Sequence, residues 1–121
     1  MNIVFVALGG AVGAMARYAI SLIPIKIGFP ILTFITNLIG AILIGFIVGV
    51  AADNNEISER TVLFWKTGVC GGFTTFSTFS LETYQLLEQK SYLPGGIYMA
   101  ASVVCCIIGV ACGRKLALCI K

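Results

Sequence analysis

Four long apolar runs, separated by short polar stretches, organise the chain. They cover Ile3–Ile23, Ile31–Ala52, about Thr61–Leu87 and Gly95–Leu118. Pro24 and Pro30 punctuate the first connection, Asp53–Arg60 is the most polar stretch, and Glu88–Pro94 forms the last connection. Each run is long enough to cross ~30 Å of hydrocarbon at ~1.5 Å per helical residue. The pattern predicts an all-α membrane protein, with one domain over residues 1–121, four transmembrane helices and no linker. The apolar start lacks a basic n-region and carries Arg17 inside it, so it reads as a retained helix.

Within the runs, small residues recur at four-residue spacing: Gly9 and Gly13, then Ala41, Gly45 and Gly49, then Gly109 and Gly113. That spacing lets helix backbones approach closely in lipid. It predicts a compact bundle and no particular function.

The third run breaks the pattern. Residues 71–80 read Gly-Gly-Phe-Thr-Thr-Phe-Ser-Thr-Phe-Ser. Paired glycines weaken a helix, and Ser and Thr hydroxyls offer the backbone alternative hydrogen bonds. These residues predict an interruption near Gly71–Thr75, with Thr74 or Thr75 capping a second half-helix. Unwound backbone at membrane depth is tolerated where protein buries it or a cavity uses it. Freed carbonyls there suit a cation, and half-helix N-termini suit an anion. A kink filled by hydroxyls is the plainer alternative. Phe73, Phe76 and Phe79 recur every three residues, close to one helical face. Alone they would be lipid-facing or core phenylalanines. Beside Thr75, Ser77 and Thr78, their electropositive ring edges become candidates for holding a desolvated anion weakly enough to release it.

Composition sharpens the class. Of 121 residues 59% are hydrophobic and 11% charged, and mean hydropathy is +1.02; a soluble domain carries about 25% charged residues. The net charge of +3 is small and scattered, which argues against nucleic acid as a partner. There is no His, the commonest general base and metal ligand. The five cysteines contain no C-x-x-C pair, which leaves neither a zinc site nor a redox motif, and packing is their simplest role. An even number of spans puts both termini on one side, together with Arg60, Lys66, Arg114, Lys115 and Lys121; Arg17, Lys26 and Lys90 fall on the other. The excess favours cytoplasmic termini, and its smallness suits a chain that inserts in both orientations.

Other polar residues lie within the apolar runs. Asn37 needs a partner at membrane depth, whether an anion for its NH₂ donors or a neighbouring helix. Arg17 stands near the end of its run, where it either snorkels to the interface or draws anions into a vestibule. Glu82 either pairs with a cation or marks the mouth of a pathway. Tyr98 and Ser102, four apart on one face, supply a line of hydroxyl donors or bond neighbouring helices.

Three segments together resemble a known family. They are Gly9-Gly10-Ala11-Val12-Gly13-Ala14-Met15-Ala16-Arg17-Tyr18, Thr36-Asn37-Leu38-Ile39-Gly40, and the highly specific Gly68-Val69-Cys70-Gly71-Gly72-Phe73-Thr74-Thr75-Phe76-Ser77-Thr78-Phe79-Ser80-Leu81-Glu82. With the chain length and four spans, they resemble the Fluc (CrcB) family of fluoride channels over nearly the whole chain. The resemblance implies a multi-pass protein of the inner (plasma) membrane that exports fluoride passively. It implies an antiparallel, dual-topology dimer with two pores, formed with a second copy or a related second subunit. Asn37 matches a pore-lining position, and Phe76 and Phe79 match paired pore phenylalanines. Gly71 and Thr74 match positions whose carbonyls hold a structural sodium ion between subunits. Thr33, Ser77, Thr78, Glu82, Tyr98 and Ser102 fall on or beside polar positions of the ion route. Cys106 departs from the pattern, standing where a small hydroxyl residue is expected.

Other functions fit the residues less well. A small four-helix multidrug-type transporter would need a membrane-embedded carboxylate in its first helix, where this chain has Arg17 and no acid. An enzyme would lack His, a thiol pair and clustered acids. A purely structural subunit leaves the Phe and hydroxyl cluster without a reason.

Overall fold

The computed structural model of the chain describes residues 1–52, 54 and 56–120. Asp53 and Asn55 of the polar connection, and Lys121 of the charge pattern, lie outside the described residues. Among those described, the chain is all-helical. Helix α1 runs Asn2–Ser21 and α2 runs Ile31–Ala52. The third run opens with α3, Glu59–Val62, where the Ser58 hydroxyl caps the first turn by accepting from the Thr61 N–H at 3.2 Å. It continues as a π-helix, Leu63–Cys70, and a last α-turn, α4, Gly71–Phe73. After Thr74 and Thr75 come α5, Phe76–Glu88, and α6, Tyr92–Cys119.

The connection before α6 is shorter than the run of polar residues suggests. Pro94 sits in the first turn of α6, where its missing N–H costs nothing. Lys90 takes a left-handed φ of 60°. Its N–H donates to the Leu87 carbonyl at 3.0 Å and the Ser91 N–H to the Leu86 carbonyl at 2.8 Å. Those two bonds form a Schellman ending that turns the chain back at once.

Helices α1, α2 and α6 are long and apolar enough to cross a membrane, at 20, 22 and 28 residues. The distribution of side chains agrees. Large apolar residues such as Ile3, Leu8, Met15, Ile107 and Leu118 are exposed, whereas the buried positions are mostly Gly, Ala, Ser and Thr. Water would penalise that arrangement at ~25 cal/mol for each Å² of exposed apolar surface, and lipid does not.

The buried small residues are those at four-residue spacing. Helix α2 packs along α6, and α1 packs on the π-helix and α4. A Cβ at Gly113 would run into the Ile42 carbonyl, and one at Gly45 into the Val110 carbonyl. Gly13 is pressed in the same way against the Val69 carbonyl. These obstacles are backbone, which cannot rotate aside.

Candidate functional site

The helix interruption falls at Thr74 and Thr75, whose ψ values of 156° and 114° are extended. Thr75 is the cap: its hydroxyl accepts from the Thr78 N–H at 3.1 Å. Its backbone is held from α2. Asn37 Nδ2 donates to the Thr75 carbonyl at 3.1 Å, and Asn37 Oδ1 accepts from the Thr75 N–H at 2.8 Å. One side-chain amide thus satisfies both backbone groups of Thr75. The Thr74 N–H and hydroxyl both donate to the Cys70 carbonyl, closing α4. None of these bonds ends on the Gly71 or Thr74 carbonyl.

The interruption has two faces. One opens on a cavity of about 640 Å³ between α2, the π-helix and α6. Asn37, Gly71, Thr74, Phe76, Phe79 and Ser102 line it, together with Cys70 and Cys106. The space beside Gly71 is open for 4 Å. Ser102 is buried, and its hydroxyl has no partner among the described residues. Phe76 is 77% exposed at the edge of this groove. The other face carries a small pocket of about 60 Å³, lined by Arg17, Thr33, Thr36, Thr75 and Thr78. Arg17 does not reach outward. Its Nε donates to the Gly72 carbonyl at 3.1 Å, tying α1 to the last turn before the interruption.

An aromatic and polar line leads away from the groove. The Phe76 and Phe79 rings lie 5.5 Å apart, and Phe79 meets the ring of Tyr98 at 5.1 Å. Tyr98 is fully buried; its hydroxyl donates to Glu82 Oε2 at 2.7 Å, and the Thr33 hydroxyl donates to Glu82 Oε1 at 2.8 Å. Thr33 and Glu82 in turn line a cleft of about 430 Å³ that also holds Gln85 and Gln89. Ser77 stays exposed at the interruption, 3.4 Å from the Thr75 hydroxyl, and lines none of these spaces.

Phe73 parts from the other two phenylalanines. It precedes the interruption and is buried, so the three-residue spacing does not put all three on one face. Thr75 and Phe29 join the site without having been singled out as ligands. Thr75 carries the Asn37 bracket, and Phe29 packs edge-on against Tyr98 at 5.3 Å. The hydroxyl cluster signalled Thr75, and nothing in the local sequence signalled Phe29.

These features define a polytopic α-helical membrane protein in which an unwound segment, an aromatic pair and the unpartnered Ser102 hydroxyl line one groove. The model of the family described as CrcB-like protein, Camphor Resistance (CrcB), matches residues 4–114, and the chain belongs to that family. Relatives described as "Fluoride-specific ion channel FluC" cover nearly the same length. One from Azobacteroides pseudotrichonymphae is 38% identical over 118 residues, spanning 95% of this chain and 94% of its own. Another, from Ruminiclostridium cellulolyticum, is 42% identical over 120 residues, spanning 97% and 92%. A third, from Methanococcus vannielii, is 42% identical over 112 residues, spanning 92% and 91%.

Proposed function

We propose that the chain is a fluoride-selective channel of the inner (plasma) membrane that lets fluoride leave the cytoplasm passively, with its pores at the interface of an antiparallel, dual-topology dimer. One observation carries the reading: Asn37, Phe76, Phe79 and the unpartnered Ser102 hydroxyl share a groove that one chain leaves open on a side. A second copy, or a related second subunit, would close it.

A small anion leaving water regains hydrogen bonds from Asn37 and Ser102 and weak attraction from the ring edges of Phe76 and Phe79. Beyond Phe79 the Tyr98 and Thr33 hydroxyls hold Glu82 at its cleft, Ser77 leaves an exposed hydroxyl at the interruption, and Thr78 lines the small pocket where Arg17 adds positive potential on the far face. None of these groups brings a full opposite charge into contact with the ion, so it binds and moves on. The carboxylate of Glu82 already accepts from two hydroxyls, which spreads its charge and fits it for the mouth of the route.

A structural sodium ion on the dimer axis fits the interruption. Among the described residues no three acids or thiols converge, and the oxygen atoms at the interruption are those of carbonyls and hydroxyls. The carbonyls of Gly71 and Thr74 belong to residues on the groove wall and take no part in closing the interruption. When bound, the ion would supply a positive charge that those carbonyl dipoles coordinate, joining the halves.

Liposomes containing the purified chain and loaded with fluoride should empty rapidly once a potassium ionophore shunts the charge, while chloride and an organic cation stay inside. Phe79→Ile keeps the volume roughly similar and removes the ring edge; it should cut fluoride release by about tenfold or more with unchanged dimer elution. No release above protein-free vesicles, alone or with a related second subunit, would refute the channel.

A further inference from the structure

We propose that Arg17 is a positioning residue for the central cation: it sets the spacing of the Gly71 and Thr74 carbonyls by clamping a carbonyl that lies between them in sequence. The inference rests on the sodium site proposed for the interruption.

Three observations converge. First, the Arg17 Nε bond ends on Gly72, inside the short α4 turn Gly71–Phe73. That turn is tied at Thr74 to Cys70 and leads into the extended residues Thr74 and Thr75. Gly71 has open space beside it, where an added Cβ would meet nothing within 4 Å. Second, the two sides of the interruption are divided between charges. Arg17 lines the small pocket and not the groove, whereas Gly71 and Thr74 line the groove and not the pocket. A fixed cation on one side leaves the other as the side for a mobile one. Third, Gly72 cannot retreat toward α1 under this pull. A Cβ there would strike the Gly10 carbonyl, so the backbones already touch. The guanidinium bond and that contact hold the turn against α1 from one side.

A rigid ring of carbonyls selects ions by size, and a loose one adapts to whichever ion enters. Arg17 therefore governs discrimination among monovalent cations more than the strength of binding. Removing its charge also relieves repulsion, but that relief is the same for sodium and potassium and cancels in their ratio.

The test is thermal unfolding of the purified protein in detergent, titrated with sodium, lithium or potassium against choline at constant ionic strength. The wild type should be protected by sodium at concentrations well below those of potassium. In Arg17→Met the ratio of half-saturating concentrations should shrink by about fivefold, and in Arg17→Lys, which keeps the charge but not the planar donor, by about threefold. A merely structural arginine would lower the melting temperature in choline and leave the ratio alone. An unchanged ratio in Arg17→Lys, or in either variant where both fold, overturns the proposal, and so does a wild type that binds cations without discriminating. A wild type protected by no cation removes the sodium site itself.

Discussion

The α2–α6 seam and the interruption between α4 and α5 lie a few side chains apart, and both place small or hydroxyl-bearing residues at their critical positions. They do so for opposite reasons. In the seam, Gly45 and Gly113 remove side chains so that backbones touch, Gly109 makes room for the Leu38 and Ile42 side chains, and both partners are uninterrupted helices. At the interruption, Thr74 and Thr75 give up helical bonds, and the freed groups take partners from other elements: Asn37 from α2 and Arg17 from α1. One region is held by shape and the other by a few named hydrogen bonds. Damage should therefore be of two kinds, loss of fold in the first and loss of transport in the second.

Gly113→Val gives the largest effect. Its Cβ meets the Ile42 carbonyl and sits 2.8 Å from the Phe46 nitrogen, so the helices must separate. Overpacking costs about 1–3 kcal/mol when side chains can adjust, and more when the obstacle is backbone. We expect little monodisperse protein by size-exclusion chromatography after extraction.

Asn37→Ala comes next. It leaves the Thr75 N–H and carbonyl without partners, at about 1–3 kcal/mol each where water cannot replace them. Because one face is open groove, the protein should still fold and elute as the wild type does, while fluoride release drops to nearly that of protein-free vesicles. If Asn37→Ala aggregates as badly as Gly113→Val, the two regions do not differ in kind.

The smallest effect belongs to a glycine in neither region. An added Cβ at Gly96 meets nothing within 4 Å. Gly96→Ala should raise stability by about 0.5–1 kcal/mol, seen as a higher melting temperature, with flux unchanged. Loss of flux there would show that α6 needs more than its seam.

The same contrast explains what was legible in the sequence. The seam was, because a four-residue period is a property of one helix and survives without its partner. Gly9, Gly13, Ala41, Gly45, Gly49, Gly109 and Gly113 are all buried as their spacing predicts. The position of the interruption was legible too, since Gly71, Gly72 and the hydroxyl run weaken the helix locally, and Thr75 caps the half-helix beyond them. Its fastening was not. Asn37 and Arg17 each stood out as costly in lipid, but which backbone groups they reach depends on helices far apart in sequence. Arg17 lay near enough to the end of its run to suggest snorkelling, whereas a carbonyl freed by Gly72 lay nearer. Nor did any local pattern announce the π-helix Leu63–Cys70, which lies pressed against α1 along Gly9 and Gly13. Glu82, Tyr98 and Thr33 were visible singly as polar residues; their union needed α2, α5 and α6 in place.

The position of the interruption along the third run has an electrical consequence. The 13 residues of α5 lie on one side of it, and the stretch 59–73 on the other, so in the proposed channel it would divide the third run's crossing into comparable halves. A monovalent ion resting there has passed about half of the transmembrane voltage, or ~1.2 kcal/mol at 100 mV. Approach from either face then climbs or descends the same fraction of the field. In the proposed channel the voltage would therefore weigh equally on entry from either face, and the direction of flow would follow the sum of the fluoride gradient and the membrane potential.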